Sequence, residues 1–412
     1  RSRGGPAKVA IMSSGFFGSL SGSVISNVVT TGQITIPTMK RTGYPPHYAA
    51  AVEACASTGG ALMPPVMGAV AFIMAEFLNV PYSTVMLAAV VPALLYYGAL
   101  LLQVDHFAAR TGMRGQDPSE IPKLGPVFLQ GWHFLFSLVL LTYLLLVMKR
   151  EALAPYIATL VLLGTTILFS KRSFGLIGLR DLVIDTTRNI ISIVAILAGV
   201  GFIVGSLSYT GVGGAFSREL LQFAGGNIYL LLIIGAFTSF LLGMGMTSSA
   251  CYIFLAITLG PALVGGGLNP IASHLFILYW GLISFITPPV ALAAIAAAAI
   301  AGASSWQTGV AAMRLGMVNF VVPFLFVLNP TLILIGAPWD IAHDVTTACV
   351  AVWLLASSFE GWLYGIGRIN VPARALLLAG AAGLLNPGWA SDIFGLVALT
   401  IVYGSYLVAR RK

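Results

Sequence analysis

Apolar runs long enough to span a membrane recur along the whole chain. They fall at roughly residues 9 to 37, 48 to 78, 84 to 104, 126 to 148, 153 to 170, 187 to 209, 227 to 264, 271 to 300, 308 to 336, 345 to 366, 372 to 387 and 391 to 409. A bilayer-crossing helix needs about 20 such residues, so the pattern predicts an all-α polytopic membrane protein. Four runs are interrupted. The first carries small polar residues in SGFFGSLSGSVISNVVTTG (14–32), and the seventh carries them in SFLLGMGMTSSACYIFLAI (239–257). The second and eighth are cut by the pairs Pro64-Pro65 and Pro288-Pro289. Polar loops separate the runs, the longest being DHFAARTGMRGQDPSEIPKLG (105–125).

If the first and seventh runs are re-entrant hairpins, of the 21 Lys and Arg only Lys149, Arg150 and Arg218 fall on the outer side. Basic residues then follow the positive-inside bias throughout. A shift of 224 positions superposes Pro37 on Pro261, Pro64-Pro65-Val66 on Pro288-Pro289-Val290, and Thr84 on Thr308. The chain therefore contains two copies of one unit: a hairpin, an arm and a Pro-Pro-broken segment. An odd number of crossings lies between the hairpins, so the repeat is inverted. Four regions are expected: 1–104 as the first repeat, 105–209 as scaffold spans and a connecting helix, 210–336 as the second repeat, and 337–412 as extra C-terminal membrane helices. Inverted repeats with discontinuous helices point to a secondary transporter whose site lies near the bilayer midplane.

A hairpin tip brings bare backbone N–H and C=O groups to membrane depth, where they can bind ions or carboxylates. The candidate first-tip residues are Ser19, Ser21, Gly22 and Ser23, with Ser26 and Asn27 beyond them. The second tip is Gly243, Met244, Gly245, Met246, Thr247, Ser248 and Ser249. The facing breaks are Ser57, Thr58, Gly59, Gly60, Pro64 and Pro65 in the first copy, and Ser284, Thr287, Pro288 and Pro289 in the second. Prolines cannot continue the helical hydrogen bonding, which frees carbonyls beside Thr58 and Thr287. Hydroxyls and carbonyls are hard oxygen ligands. Neither set holds a carboxylate, so two monovalent-cation sites, for sodium in preference to a proton, are expected there. No other metal site and no cofactor is indicated.

Composition narrows the picture further. Charged residues make up 8% of the chain and hydrophobic ones 58%, and the net charge of +8 is spread over short loops, so no nucleic-acid partner is implied. Cys55, Cys251 and Cys349 sit in apolar runs and read as packing residues. The histidines His47, His106, His133, His274 and His343 show no metal spacing, and no catalytic motif is present, so an enzyme is disfavoured. Glu53 lies within a run: one reading makes it a proton carrier or a buried structural partner, the other an interfacial residue. Arg314 reads as a snorkelling base or as a partner for a substrate carboxylate. Glu76, Asp340 and Asp344 lie on the outer side, placed for a soluble partner or for solvent.

The stretches GSLSGSVISNVVTTGQITIPTMKRTGYPPHYAAAVEACASTGGALMPPVMGAVAFIMAE, FLLGMGMTSSACYIFLAITLGPAL and LYWGLISFITPPVALAAIAAAAIAG together resemble the large membrane subunit of tripartite ATP-independent periplasmic (TRAP) transporters. In detail the chain is similar to the fused permeases of the TAXI type, over about residues 5 to 335. The resemblance implies an elevator-type symporter of the bacterial or archaeal inner membrane. It would import a small organic acid handed over by a periplasmic TAXI-type solute-binding protein, with an ion gradient, usually sodium, as the driving force. It also implies a small four-helix membrane subunit, separate or fused ahead of the large one. The chain opens RSRGGPAKVAIM, which reads as a piece lacking N-terminal scaffold helices. Other classes remain: a dicarboxylate/sodium symporter that works without a binding protein, which shares hairpins and breaks, and a channel, which needs no opposed hairpins. The substrate is not named by the sequence.

Overall fold

The computed structural model describes residues 2–115, 123–169, 175–386 and 388–411. Residues 116–122 of the long loop, the bases Lys171 and Arg172, and Lys412 lie outside the described residues. In the first half, α1 (Gly5–Ser21) and α2 (Val24–Arg41) form a hairpin, α3 (Pro46–Gly60) and α4 (Gly68–Leu78) are the halves of a broken segment, and α5 (Tyr82–Thr111) follows. α6 (Leu124–Leu146) and α7 (Ala154–Phe169) pair with each other, and α8 (Leu176–Thr210) leads through α9 (Val212–Phe223) to the second half. There α10 (Ile228–Gly243), α11 (Ser248–Thr258) and the short α12 (Gly260–Gly265) make the second hairpin. α13 (Pro270–Ile283) and α14 (Leu292–Ala301) are the second broken segment, followed by α15 (Ser305–Leu315), α16 (Val318–Leu328) and a 3₁₀ turn at Pro330–Ile333. The chain ends with α17 (Pro338–Glu360), a minimal antiparallel hairpin of β1 (Trp362–Leu363) and β2 (Gly367–Arg368), then α18 (Val371–Leu384) and α19 (Trp389–Arg411).

The helix starts carry the repeat. Starts at 24, 46 and 68 recur at 248, 270 and 292, a shift of 224 each time. The same chemistry sets each pair. Ser23 caps α2 by accepting from Ser26 N, and Thr247 caps α11 by accepting from Ala250 N. Pro46 and Pro270 open α3 and α13, where a missing N–H costs nothing. Both Pro-Pro bonds are cis, and the residues just before α4 and α14, Met67 and Ala291, both have positive φ. The two halves also pack into one another, α14 against α2 and α3, and α4 against α11.

Several boundaries differ from expectation. In the first hairpin only Gly22 and Ser23 leave the helix; Gly18 to Ser21 stay in α1, because the Gly22 N–H still closes onto Gly18 O. The second tip is Met244–Thr247. Residues 105–111 of the expected loop continue α5, α8 starts at 176 and not 187, and the run from 308 bends between Leu315 and Val318. Cys349 is exposed, so it does not pack within the chain as Cys55 and Cys251 do. Among the described residues five helical stretches are long and apolar enough to cross a membrane: Tyr82–Thr111, Gly125–Leu146, Ile177–Ile203, Ser305–Leu328 and Pro338–Glu360. Leu129, Leu168 and Phe202 on α6, α7 and α8 are more than 70% exposed, as side chains facing lipid are.

Close approach of α1 and α3 sets the depth of the first tip. A Cβ on Gly60 would lie 2.6 Å from Gly18 Cα, and one on Gly22, which sits at φ 64°, would lie 2.5 Å from Gly68 Cα. Only hydrogen fits there. Gly60→Ala should therefore cost about 2 kcal/mol by overpacking, read as a lowered thermal unfolding midpoint in detergent. Gly98→Ala, with nothing within 4 Å of the new methyl, should leave the midpoint unchanged or raise it.

Candidate functional site

The two hairpin tips meet. Ser248 Oγ donates to Gly22 O at 3.2 Å, joining the start of α11 to the end of α1. Beside this contact lies a cavity of about 660 Å³, lined by both tips, by the start of α4, and by residues of α6, α7 and α8. Three helices begin at its wall: α2 at Ser23 and Val24, α4 at Gly68 and Ala69, α11 at Thr247 and Ser248. Each start presents backbone N–H groups without intrahelical acceptors, plus the positive end of a helix dipole. No Lys, Arg or His is among the residues lining the cavity. The part of the lining that comes from α6, α7 and α8 is mostly apolar, with Leu141, Leu145, Pro155, Ile193 and Ile196. Its polar groups are Asn189 and Ser192 of α8.

Of the residues singled out from the sequence, Ser21, Gly22, Ser23, Ser26, Thr247, Ser248 and Ser249 line this cavity. Others do not. Ser19 is buried, and its Oγ accepts from Val66 N, tying α1 to the first break. Asn27 is buried and donates to Ser14 O at 2.8 Å. Thr58 lies inside α3, spending its hydroxyl on Ala54 O at 2.8 Å. Pro64 and Pro65 withhold the helical donors of Gly60 O and Ala61 O; Gly60 O accepts instead from Met63 N, and Tyr82 places its hydroxyl on Pro65 O and Val66 O within the break. Gly59 packs on Tyr96 and Tyr97. In the second break Ser284 donates to Gly281 O, whereas the Thr287 hydroxyl is buried with no partner among the described residues. Gly243 packs against Gly281 and Ser284; Met244, Gly245 and Met246 form the turn, and Pro288, cis-bonded to Pro289, packs on Gly309 of α15. Asn189 and Ser192 were not legible as site residues, because a single polar position in an apolar run has no partner in the sequence to mark it.

Glu53 is wholly buried, which excludes the interfacial reading. Oε1 accepts from Ser14 Oγ at 2.7 Å, Thr31 Oγ1 at 2.5 Å and Ser57 Oγ at 3.1 Å, and Oε2 accepts from Thr35 Oγ1 at 2.5 Å. Arg314 neither snorkels freely nor faces the cavity. It pairs at 2.6 Å with Glu360, at the end of α17, which Arg110 of α5 approaches to 3.4 Å. This cluster, in which Glu360 is buried and both arginines are part-exposed, fastens α17 to α5 and α15. Asp344 accepts from Asn329 and Thr331 and contacts His343, so it is not simply solvated. No group of three or more His, Cys, Asp and Glu that could hold a metal is found among the described residues.

Removing Arg314 would leave a buried carboxylate with only two distant partners, Arg110 and the Tyr48 hydroxyl, each at 3.4 Å. Arg314→Ala should cost about 3 kcal/mol, measured as lost thermal stability in detergent. Adding Glu360→Gln should recover most of it, because the uncompensated charge goes with it.

Comparison with known proteins places these features. Residues 1–340 match the profile of "Tripartite ATP-independent periplasmic transporter, DctM component". The chain is 26% identical over 342 residues to the C4-dicarboxylate TRAP transporter large permease protein DctM of Pseudomonas aeruginosa, covering 81% of this chain and 75% of that one. It is 23% identical over 308 residues to the isethionate TRAP transporter permease protein DctMQ of Oleidesulfovibrio alaskensis, covering 74% of this chain but 48% of that one. A shorter stretch of 108 residues is 37% identical to the DctM permease of Vibrio cholerae, covering 26% of this chain and 23% of that one.

Proposed function

Since this chain belongs to the DctM family of TRAP transporters, a family of multi-pass permeases of the bacterial inner membrane, we propose that it imports a small organic anion through the cavity between its hairpin tips. The observation that carries this reading is the convergence of three helix starts on one cavity. Backbone N–H groups at helix starts bind carboxylates and related anions without a basic side chain, and none lines this cavity. The relatives' names specify a dicarboxylate and isethionate, both small organic anions. One anionic group fits the helix starts; α8 offers the neutral Asn189 and Ser192 to the rest of the solute. The preferred substrate is thus a small acid with a single anionic head and a neutral, partly apolar body.

The solute is delivered by a periplasmic binding protein of the TAXI type, and a small four-helix membrane subunit completes the complex. A dicarboxylate/sodium symporter working without a binding protein is the competing reading. Uptake into proteoliposomes with and without the binding protein separates the two: dependence on the added protein supports the first, and equal uptake without it supports the second. A channel is disfavoured, because neither a water-filled path nor rings of pore-lining groups explain opposed hairpins that touch at their tips.

Sodium is the coupling ion in this reading. The second break supports it with the buried, unpartnered Thr287 hydroxyl near Ser284 and no carboxylate between them. Neutral hard oxygens suit a monovalent cation. In uptake assays Thr287→Ala should raise the sodium concentration for half-maximal rate several-fold while changing the substrate KM less. Equal shifts in both, or none, would remove Thr287 from the ion site. Asn189→Asp, which adds a negative charge to the same cavity, should lower uptake at least tenfold relative to Asn189→Ala.

The moving body comprises the two repeats, 1–104 and 210–336, and the frame includes α6 and α7. The continuous spans at 345–409, which the sequence alone groups with 126–170 in the frame, are joined instead to the moving body through Glu360, Arg314 and Arg110. Cysteine pairs between 48–78 and 126–148 should crosslink in two registers several helical turns apart, one per state. Pairs between α5 and α17 should crosslink in a single register in both.

A further inference from the structure

We infer that Glu53 is a proton-binding site within the moving body, a titratable coupling group additional to the sodium site at the second break; the inference rests on the transport reading above. Its side chain is wholly buried at the junction of α1, α2 and α3 and is met by four hydroxyls, from Ser14, Thr31, Thr35 and Ser57. No base reaches it. Lys8 of α1 is held by Asp105, Lys40 of α2 donates to Ala301 O, and Arg314 of α15 is paired with Glu360. The titratable neighbour on α5, Tyr97, donates to Ala56 O; Cys55 of α3 is directed to Ala312 O; and α14, packed on α2 and α3, carries only apolar side chains. A carboxylate without a counter-cation at this depth is expensive to keep ionised, and acids so placed are functional by default.

The shell fits a proton better than a metal ion. Three hydroxyls touch Oε1 directly at 2.5 to 3.1 Å, which leaves no room for a cation with its own ligand sphere. It also accommodates both charge states. Thr31 has an alternative acceptor in Asn27 O at 2.8 Å, and Thr35 has one in Thr31 O at 3.0 Å. A proton arriving on Oε2 is donated to Thr35 Oγ1, and Thr35 turns its own hydrogen to Thr31 O. No donor or acceptor is stranded in either state. Thr31 and Thr35 are only half-buried, which gives the proton a route along the outer side of α2.

The repeat supplies a control. The positions 224 residues after Thr31, Thr35, Glu53 and Ser57 are Leu255, Leu259, Ile277 and Gly281. Only Ser14 has a hydroxyl counterpart, Thr238, and the second copy packs α11 against α13 with no acid, its buried polar pair there being Tyr252 and His274. The shared fold does not require Glu53, so its burial and its matched hydroxyls answer a demand peculiar to the first copy.

The test uses the full permease with its small subunit and binding protein in proteoliposomes containing a trapped pH dye. Substrate uptake by the wild type should carry protons inward. Glu53→Gln keeps an acceptor at Oε1 and a donor toward Thr35, imitating the protonated acid; the protons carried per substrate should fall at least tenfold in whatever uptake remains. An unchanged ratio, or wild-type uptake without proton entry, overturns the proposal. Infrared difference spectra of the purified protein, between mildly acidic and mildly alkaline buffer, give a readout independent of transport. The wild type should show the carbonyl stretch of a buried protonated carboxyl that vanishes on alkalinisation and is absent from Glu53→Gln. No such band in the wild type means a permanently ionised Glu53 and refutes the site. A titrating band in vesicles that take up nothing upholds the site and refutes the transport reading. If Glu53→Gln does not fold, Glu53→Asp should move the band; an unmoved band assigns it to another carboxyl and overturns the proposal.

Discussion

The fold depends on one constraint: a backbone polar group brought into the hydrocarbon layer must find its hydrogen-bond partner inside the protein. Arms of about 17 residues reach only about 25 Å, less than a bilayer's apolar thickness, so each hairpin tip ends at depth with free N–H and C=O groups. The structure meets them tip to tip, through Ser248 and the Gly22 carbonyl, and through the hydroxyl caps Ser23 and Thr247. The first break is met in the same manner, by Tyr82 on Pro65 O and Val66 O. The starts of α2, α4 and α11 are left facing the cavity.

The inverted repeat follows from the same constraint. Two opposed hairpins can satisfy one another where a single one would need water or lipid. The cross-packing of α14 on α2 and of α4 on α11 puts each half's broken helix against the other half's hairpin, so neither half buries its polar turn alone. The copies then diverge in chemistry. The first holds a carboxylate wrapped in hydroxyls, and the second holds an unpartnered Thr287 hydroxyl beside its break.

Much of this was legible in the sequence, for physical reasons. Pro-Pro pairs and Gly/Ser clusters in apolar runs have few compatible backbones, so both breaks and both hairpins, and the shift relating them, could be read directly. Tip boundaries were less so: Gly18 to Ser21 suit either a turn or a close helix crossing, and contact with Gly60 selected the helix. The partners of isolated charges were not legible at all. Glu360 meets Arg314 from 46 residues away, and Glu53 is satisfied by hydroxyls on three helices, a match that only the tertiary packing creates. Asn189 and Ser192 became visible only once α8 closed the cavity.

The central claim is that an anion is held by helix starts and not by a basic side chain. A substrate-bound map of the assembled permease tests it most directly. The account predicts the anionic group within hydrogen-bonding distance of the backbone N–H groups that open α2, α4 and α11, with Asn189 on the far side of the solute. Density for that group against an arginine or lysine, or anywhere away from the junction of Gly22 and Ser248, would contradict it.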